Sequence, residues 1–113
     1  MKNWLLHNIR MNVIQTAGNG VVNEDTFFQF SQRENIVSAN YSGGKIKRGY
    51  LIGVISNNTL NFKYCQLQDD GIIYGGDSVC KLLLSDSGKI RLEEHFKWAA
   101  NEKGRGINIF EEV

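Results

Sequence analysis

Turn residues punctuate this chain from end to end, and their spacing limits what it can fold into. Gly18-Asn19-Gly20, Arg33-Glu34-Asn35, Gly43-Gly44, Asn57-Asn58, Asp69-Asp70-Gly71, Ser85-Asp86-Ser87-Gly88 and the pair Gly104 and Gly106 separate short runs rich in β-branched and aromatic residues. Gly, Asn and Asp supply the positive φ that tight hairpins need. The runs between them are Asn8 to Gln15, Thr26 to Gln32, Ile36 to Ser42, Lys45 to Ile55, Thr59 to Leu67, Ile72 to Leu84, Lys89 to Trp98 and Ile107 to Glu112. Such a pattern reads as an all-β meander of about eight strands. Connections this short pair sequential strands antiparallel. Only Lys2 to His7 and Phe96 to Lys103 have room for a helical turn.

With 113 residues the chain is one domain, 1–113. Eight strands in that length favour closure into a single antiparallel up-and-down barrel, which removes both sheet edges. A two-sheet β-sandwich is the alternative. Glycines at 49, 53, 75 and 76 lie inside strands, where they mark bulges, bends or close approach.

Strand faces follow from the turns. A two-residue loop at Asn57-Asn58 pairs Ser56 with Thr59 and Gly53 with Phe62. Leu51, Gly53 and Ile55 then share the interior with Leu60, Phe62, Tyr64 and Gln66. Propagation back through Gly43-Gly44 adds Ile36, Ser38 and Asn40 to that face. It leaves Val37, Ala39, Tyr41, Tyr50, Ile52 and Val54 outside. An apolar exterior of that kind predicts a homodimer through Tyr50, Ile52 and Val54, or a cover by the N-terminal segment. In the run 89–98, Ile90, Leu92, Glu94, Phe96 and Trp98 point inward, and Arg91, Glu93, His95 and Lys97 face solvent.

Glu94 is the residue that most invites a chemical reading, because it falls among apolar neighbours. A buried carboxylate is costly unless paired. It is a candidate ligand anchor or general base with a raised pKa; the structural alternative is pairing with Arg10, Arg48 or Lys81. Asn40, Tyr64, Gln66, Glu94 and Trp98 together make a candidate ligand site, with Ser38 beside them and Phe62 and Phe96 as walls. A barrel this small can equally be filled by its own side chains.

Other chemistries find little support. His7 and His95 lack partners at metal-ligand spacing, so no metal is expected. Cys65 and Cys80 are read as free thiols and small apolar fillers. No nucleophile elbow is present. Phe27, Phe28 and Phe30 with Lys45, Lys47 and Arg48 could form a nucleic-acid face. A net charge of +1 and the nearby acidic residues argue instead for core aromatics and a solvated turn. No apolar run reaches the roughly 18 residues of a membrane span, and no signal peptide is evident, so a cytoplasmic location is expected. Gln15-Thr16-Ala17-Gly18-Asn19-Gly20 fits the pyrophosphate-loop pattern of N-acetyltransferases. The β-branched stretch that follows it reads as a hairpin rather than the helix N-terminus such a loop needs. No cofactor is therefore expected.

Tyr41-Ser42-Gly43-Gly44, Gly49-Tyr50-Leu51-Ile52-Gly53, Gly88-Lys89-Ile90-Arg91-Leu92 through Trp98 and the closing Glu111-Glu112-Val113 resemble a family of short bacterial proteins. Its members often carry an N-acetylglutamate synthase label, and the resemblance runs from about Gly20 to the C-terminus. It implies acetyl transfer from coenzyme A to glutamate. In architecture the inferred barrel resembles calycin-type, lipocalin-like proteins and is similar in size to avidin-like ones. Three functions stay open: a non-enzymatic binder of a small apolar or amphipathic molecule, a small enzyme including that acetyltransferase, and an oligomeric interaction module.

Overall fold

The computed structural model describes residues 4–16, 21–97 and 105–113. Its strands are β1 (Arg10–Gln15), β2 (Phe27–Arg33), β3 (Ile36–Gly43), β4 (Ile46–Ser56), β5 (Thr59–Gln68), β6 (Ile73–Leu84), β7 (Ile90–Lys97) and β8 (Arg105–Glu112). Each pairs antiparallel with the next, and β1 pairs with β8, so the sheet closes into the up-and-down barrel that the turn spacing predicts. The sandwich alternative is excluded by that closure.

Turns do what their residues dictate. Asn57 and Glu34 take φ of 56° and 57°, the left-handed region that a tight reversal needs. The β4–β5 hairpin has the expected register, Ser56 opposite Thr59 and Gly53 opposite Phe62. Arg33 lies opposite Ile36, which closes β2 onto β3.

The β3–β4 hairpin departs from expectation, and the departure turns a whole strand over. Its turn residues are Gly44 and Lys45, with Gly43 opposite Ile46, and the register then shifts between Tyr41 and Gly43. One extra residue in a ladder inverts every side chain beyond it. Val37, Ala39 and Tyr41 are therefore interior, and Ile36, Ser38 and Asn40 face outward. Asn40 is exposed, so it leaves the candidate site. A second register shift, between Ile46 and Arg48, lets both Ile46 and Gly49 point inward.

The interior is graded from one end to the other. Along β5 the inward positions read Leu60, Phe62, Tyr64, Gln66 and Gln68. The apolar end carries Leu60, Leu82, Leu92, Phe30 and Val37, all nearly or fully buried. Trp4 and Leu6 close that end. The Trp4 indole donates to Asn58 Oδ1 (2.8 Å), and the Gln32 amide clamps the segment by donating to Trp4 O and accepting from Leu6 N. The N-terminal segment thus plugs a barrel mouth and does not cover Tyr50, Ile52 and Val54, which stay exposed. No helical turn forms over residues 4–7.

Candidate functional site

The opposite end of the barrel is polar. Gln66, Gln68, Ser78, Glu94 and Asn108 are all buried there. Hydrophobic burial cannot account for that choice of residues, because each one must recover the hydrogen bonds it gave up to water.

Glycine positions the two phenols. Tyr41 lies across from Gly49 and Tyr64 across from Gly76. A Cβ at Gly49 would come within 2.4 Å of the Tyr41 ring, and one at Gly76 within 2.8 Å of the Tyr64 hydroxyl. Each tyrosine ring fills a gap that the missing side chain leaves, a close-approach role for strand glycines. Seated this way, the Tyr41 hydroxyl donates to Gln66 Oε1 (2.8 Å). Gln66 Nε2 donates in turn to Gln68 Oε1 at a long 3.4 Å. Behind them Phe28 stacks on Tyr41 (centroids 4.5 Å apart) and meets Phe110 at a tilt (4.6 Å).

Glu94 reaches the interior from β7, as its alternation predicts. It forms no ion pair with Arg10, Arg48 or Lys81; its partner is Asn108, whose Nδ2 donates to Glu94 Oε1 (2.9 Å). Burial pushes the Glu94 carboxyl above its ordinary value, while the Asn108 amide and the nearby Ser78 hydroxyl pull it part of the way back. Ser78 Oγ is close enough to favour the anion but completes no hydrogen bond. Burial, with Glu94 adding, raises the Tyr41 phenol far above its usual range and pushes Tyr64 up to about 12. The Cys80 thiol is raised for the same two reasons. Cys80 packs inside the barrel as a small apolar filler, whereas Cys65 is exposed on its outer face.

A cavity of about 30 Å³ lies between Glu94, Asn108, Gln66 and Tyr64, bounded by Val21 and Val22 of the β1–β2 connection. It admits a group the size of one or two water molecules. The connection is held by its own network. Thr26, fully buried, accepts from Asn23 N and donates to Gly43 O, while Asn12 Nδ2 donates to Glu24 O.

Of the residues expected in a site, Tyr64, Gln66 and Glu94 come together; Asn40 does not, for the reason given above. Trp98 lies outside the described residues, as do residues 17–20 of the loop that fits the pyrophosphate pattern. Sequence reasoning missed Tyr41, Ser78 and Asn108. Asn108 was findable from the alternation Ile107-Asn108-Ile109-Phe110, which puts it on the face of buried Phe110. Among the described residues no cluster of His, Cys, Asp and Glu could hold a metal ion.

The raised Glu94 carboxyl has a thermodynamic consequence with a definite sign. The folded state binds this proton more tightly than the unfolded chain does. Its contribution to stability is complete below the ordinary value of 4.5 and is lost as pH rises through the raised one. Chemical denaturation of wild type and Glu94→Gln across this range is expected to show the variant gaining on wild type as pH rises, by about 1–2 kcal/mol at the alkaline plateau. A difference that stays constant with pH would place the carboxylate in water.

No curated protein and no solved structure matches the chain at a significant level. A family model described as avidin-like protein matches residues 4–113, nearly the whole chain and all eight strands of the closed barrel. The chain therefore belongs to the avidin-like protein family, small β-barrels of a fold that binds small ligands.

Proposed function

We propose that the barrel seats the polar head of a small amphipathic molecule at Tyr64, Gln66, Glu94 and Asn108, without catalysing a reaction on it. The observation that supports this reading most is a buried polar group left over. Ser78 Oγ is shielded from water with no hydrogen bond, near the Glu94 carboxylate, which itself lines a small cavity. An orphaned buried donor costs about 1–3 kcal/mol, a penalty that a bound polar group would relieve. Val21 and Val22 offer the apolar contact for the rest of such a molecule. Acetyl transfer from coenzyme A fits less well: a cavity of about 30 Å³ is far smaller than the several hundred Å³ of an ordinary small-molecule site.

Native mass spectrometry of the purified protein, then of the same sample denatured, tests the binder reading. A non-covalent mass that disappears on denaturation is expected. Protein that stays free of added mass and shows no thermal shift with any amphipathic compound tried would overturn it.

A second reading concerns assembly and rests on a different surface. Ile36, Ile52, Val54 and Val79 line a shallow outer groove of about 590 Å³, and Tyr50 continues the apolar strip. Lys63 and Asp77 form an exposed ion pair along it (3.3 Å). In a two-fold pair of barrels each such pair would meet its own copy reversed, so the surface is self-complementary in charge as well as apolar. A homodimer through Tyr50, Ile52 and Val54 follows. Sedimentation velocity is expected to show a dimer for wild type and a folded monomer for Ile52→Glu. A wild type that sediments as a monomer at every concentration removes the interface.

A further inference from the structure

The described residues that line the cavity hold one carboxylate, Glu94, and no basic group. The Asn108 Nδ2 group donates to Glu94, the Gln66 amide to Gln68, and the Tyr41 hydroxyl to Gln66. Glu94 is the one buried carboxylate among the described residues. Among the described residues Glu94 accepts from Asn108 at Oε1, the Ser78 hydroxyl lies near the carboxylate, and Tyr64 lines the cavity beside it. Among the described residues no Lys, Arg or His forms an ion pair with Glu94. Tyr41, Gln66, Tyr64, Ser78, Cys80 and Asn108 face Glu94 from β3, β5, β6 and β8, and Val22 lies against it from the β1–β2 connection. None of these is basic. A buried charge without a partner is the costliest arrangement a protein interior can hold.

We propose that this end of the barrel is a primary-amine site: an ammonium group occupies the cavity against Glu94, and its aliphatic chain lies on Val21 and Val22. The inference rests on the binder reading above and names its ligand class. Three features of the site select this chemistry. An ammonium group is all donor and no acceptor, the complement of a carboxylate. Its positive charge meets the one carboxylate in the described interior and replaces the solvation that burial removed. Its size matches a cavity with room for one or two water-sized groups, whereas a planar guanidinium or a ring is too large for it. The Tyr64 ring adds an aromatic wall, which favours a cation further.

The amine and the proton compete for Glu94. Tyr41, Tyr64 and Cys80, the other titratable groups facing it, all have raised pKa values and stay neutral through neutral pH. An alkylamine stays protonated up to about the lysine value of ~10.4. Affinity is therefore expected to fall as pH drops below the raised Glu94 value, with uptake of the amine releasing a proton wherever Glu94 starts protonated.

Titration calorimetry with hexylamine, hexan-1-ol, hexanamide and hexanoate at about pH 8 tests the assignment, because the four share a tail and differ in the head group. Hexylamine is expected to bind at least about tenfold more tightly than hexanol or hexanamide, the gain of one charge-assisted hydrogen-bonded contact. Hexanoate is expected not to bind. Glu94→Gln, nearly identical in shape, is expected to cost hexylamine about tenfold or more and to leave hexanol unchanged. Hexanol or hexanamide binding as tightly as hexylamine would overturn the amine site while leaving the binder reading standing. Failure of all four to bind would overturn both.

Discussion

Replacing Phe110 by alanine is expected to destabilise the barrel by about 3–5 kcal/mol, the usual cost of removing a buried phenylalanine ring. Phe110 is 2% exposed and its ring lies 4.6 Å from that of Phe28, which stacks in turn on Tyr41. It faces Val13 across the β1–β8 seam and Leu92 across β7. The loss therefore falls on the pairing that closes the barrel. Domains of this size have a total stability of only about 5–15 kcal/mol, so the variant should sit near the edge of unfolding. Guanidinium denaturation gives the value directly. A cost below about 1.5 kcal/mol would mean that the ring is not packed as described.

Gly43→Ala is the second large effect, and it connects the fold to the site. Gly43 has a φ of 115°, outside the regions that residues with a Cβ populate. A Cβ there would lie 1.8 Å from the carbonyl oxygen of Asp25. Backbone cannot move aside as a flexible side chain can, so the Asn23–Thr26 turn must shift. Its Thr26 bond to Gly43 O is then lost. A destabilisation of about 2–4 kcal/mol is expected from strain and the lost buried bond together. The same turn carries Val21 and Val22 over the cavity. Its displacement should admit water to Glu94 and return the carboxyl toward its ordinary value, so the pH-dependent difference from Glu94→Gln should shrink in this background. Retention of the full difference would separate the turn from the cavity.

Several features of the molecule were legible in the sequence because they depend on local chemistry. The runs between turn residues matched the strand boundaries to within about two residues, because turn chemistry and alternation act over a few residues, although Gly18-Asn19-Gly20 lies well before β2 and Gly106 falls inside β8. Alternation placed Glu94 inside β7, and the Asn57-Asn58 turn set the β4–β5 register, which puts Gln66 and Tyr64 in the interior. The glycines at 49 and 76 were readable as close approaches, although not what approached them.

Other features depend on where separate strands meet. The single-residue shift beside Gly43 inverted β3, which exchanged exposed Asn40 for buried Tyr41, and nothing local to Tyr41-Ser42-Gly43-Gly44 distinguishes the two registers. What decides between them is the space inside the closed barrel: the gap at Gly49 accepts the Tyr41 ring, and Phe28 and Gln66 provide its stacking and hydrogen-bond partners. The Glu94–Asn108 bond, the unsatisfied Ser78 hydroxyl and the size of the cavity belong to the same class. The sequence by itself determined eight strands, their order and an inward carboxylate, because turns and alternation are short-range. Only the tertiary structure decided which polar groups surround that carboxylate and how much room they leave, because closure brings together β3, β5, β6, β7 and β8 across distances no local pattern spans.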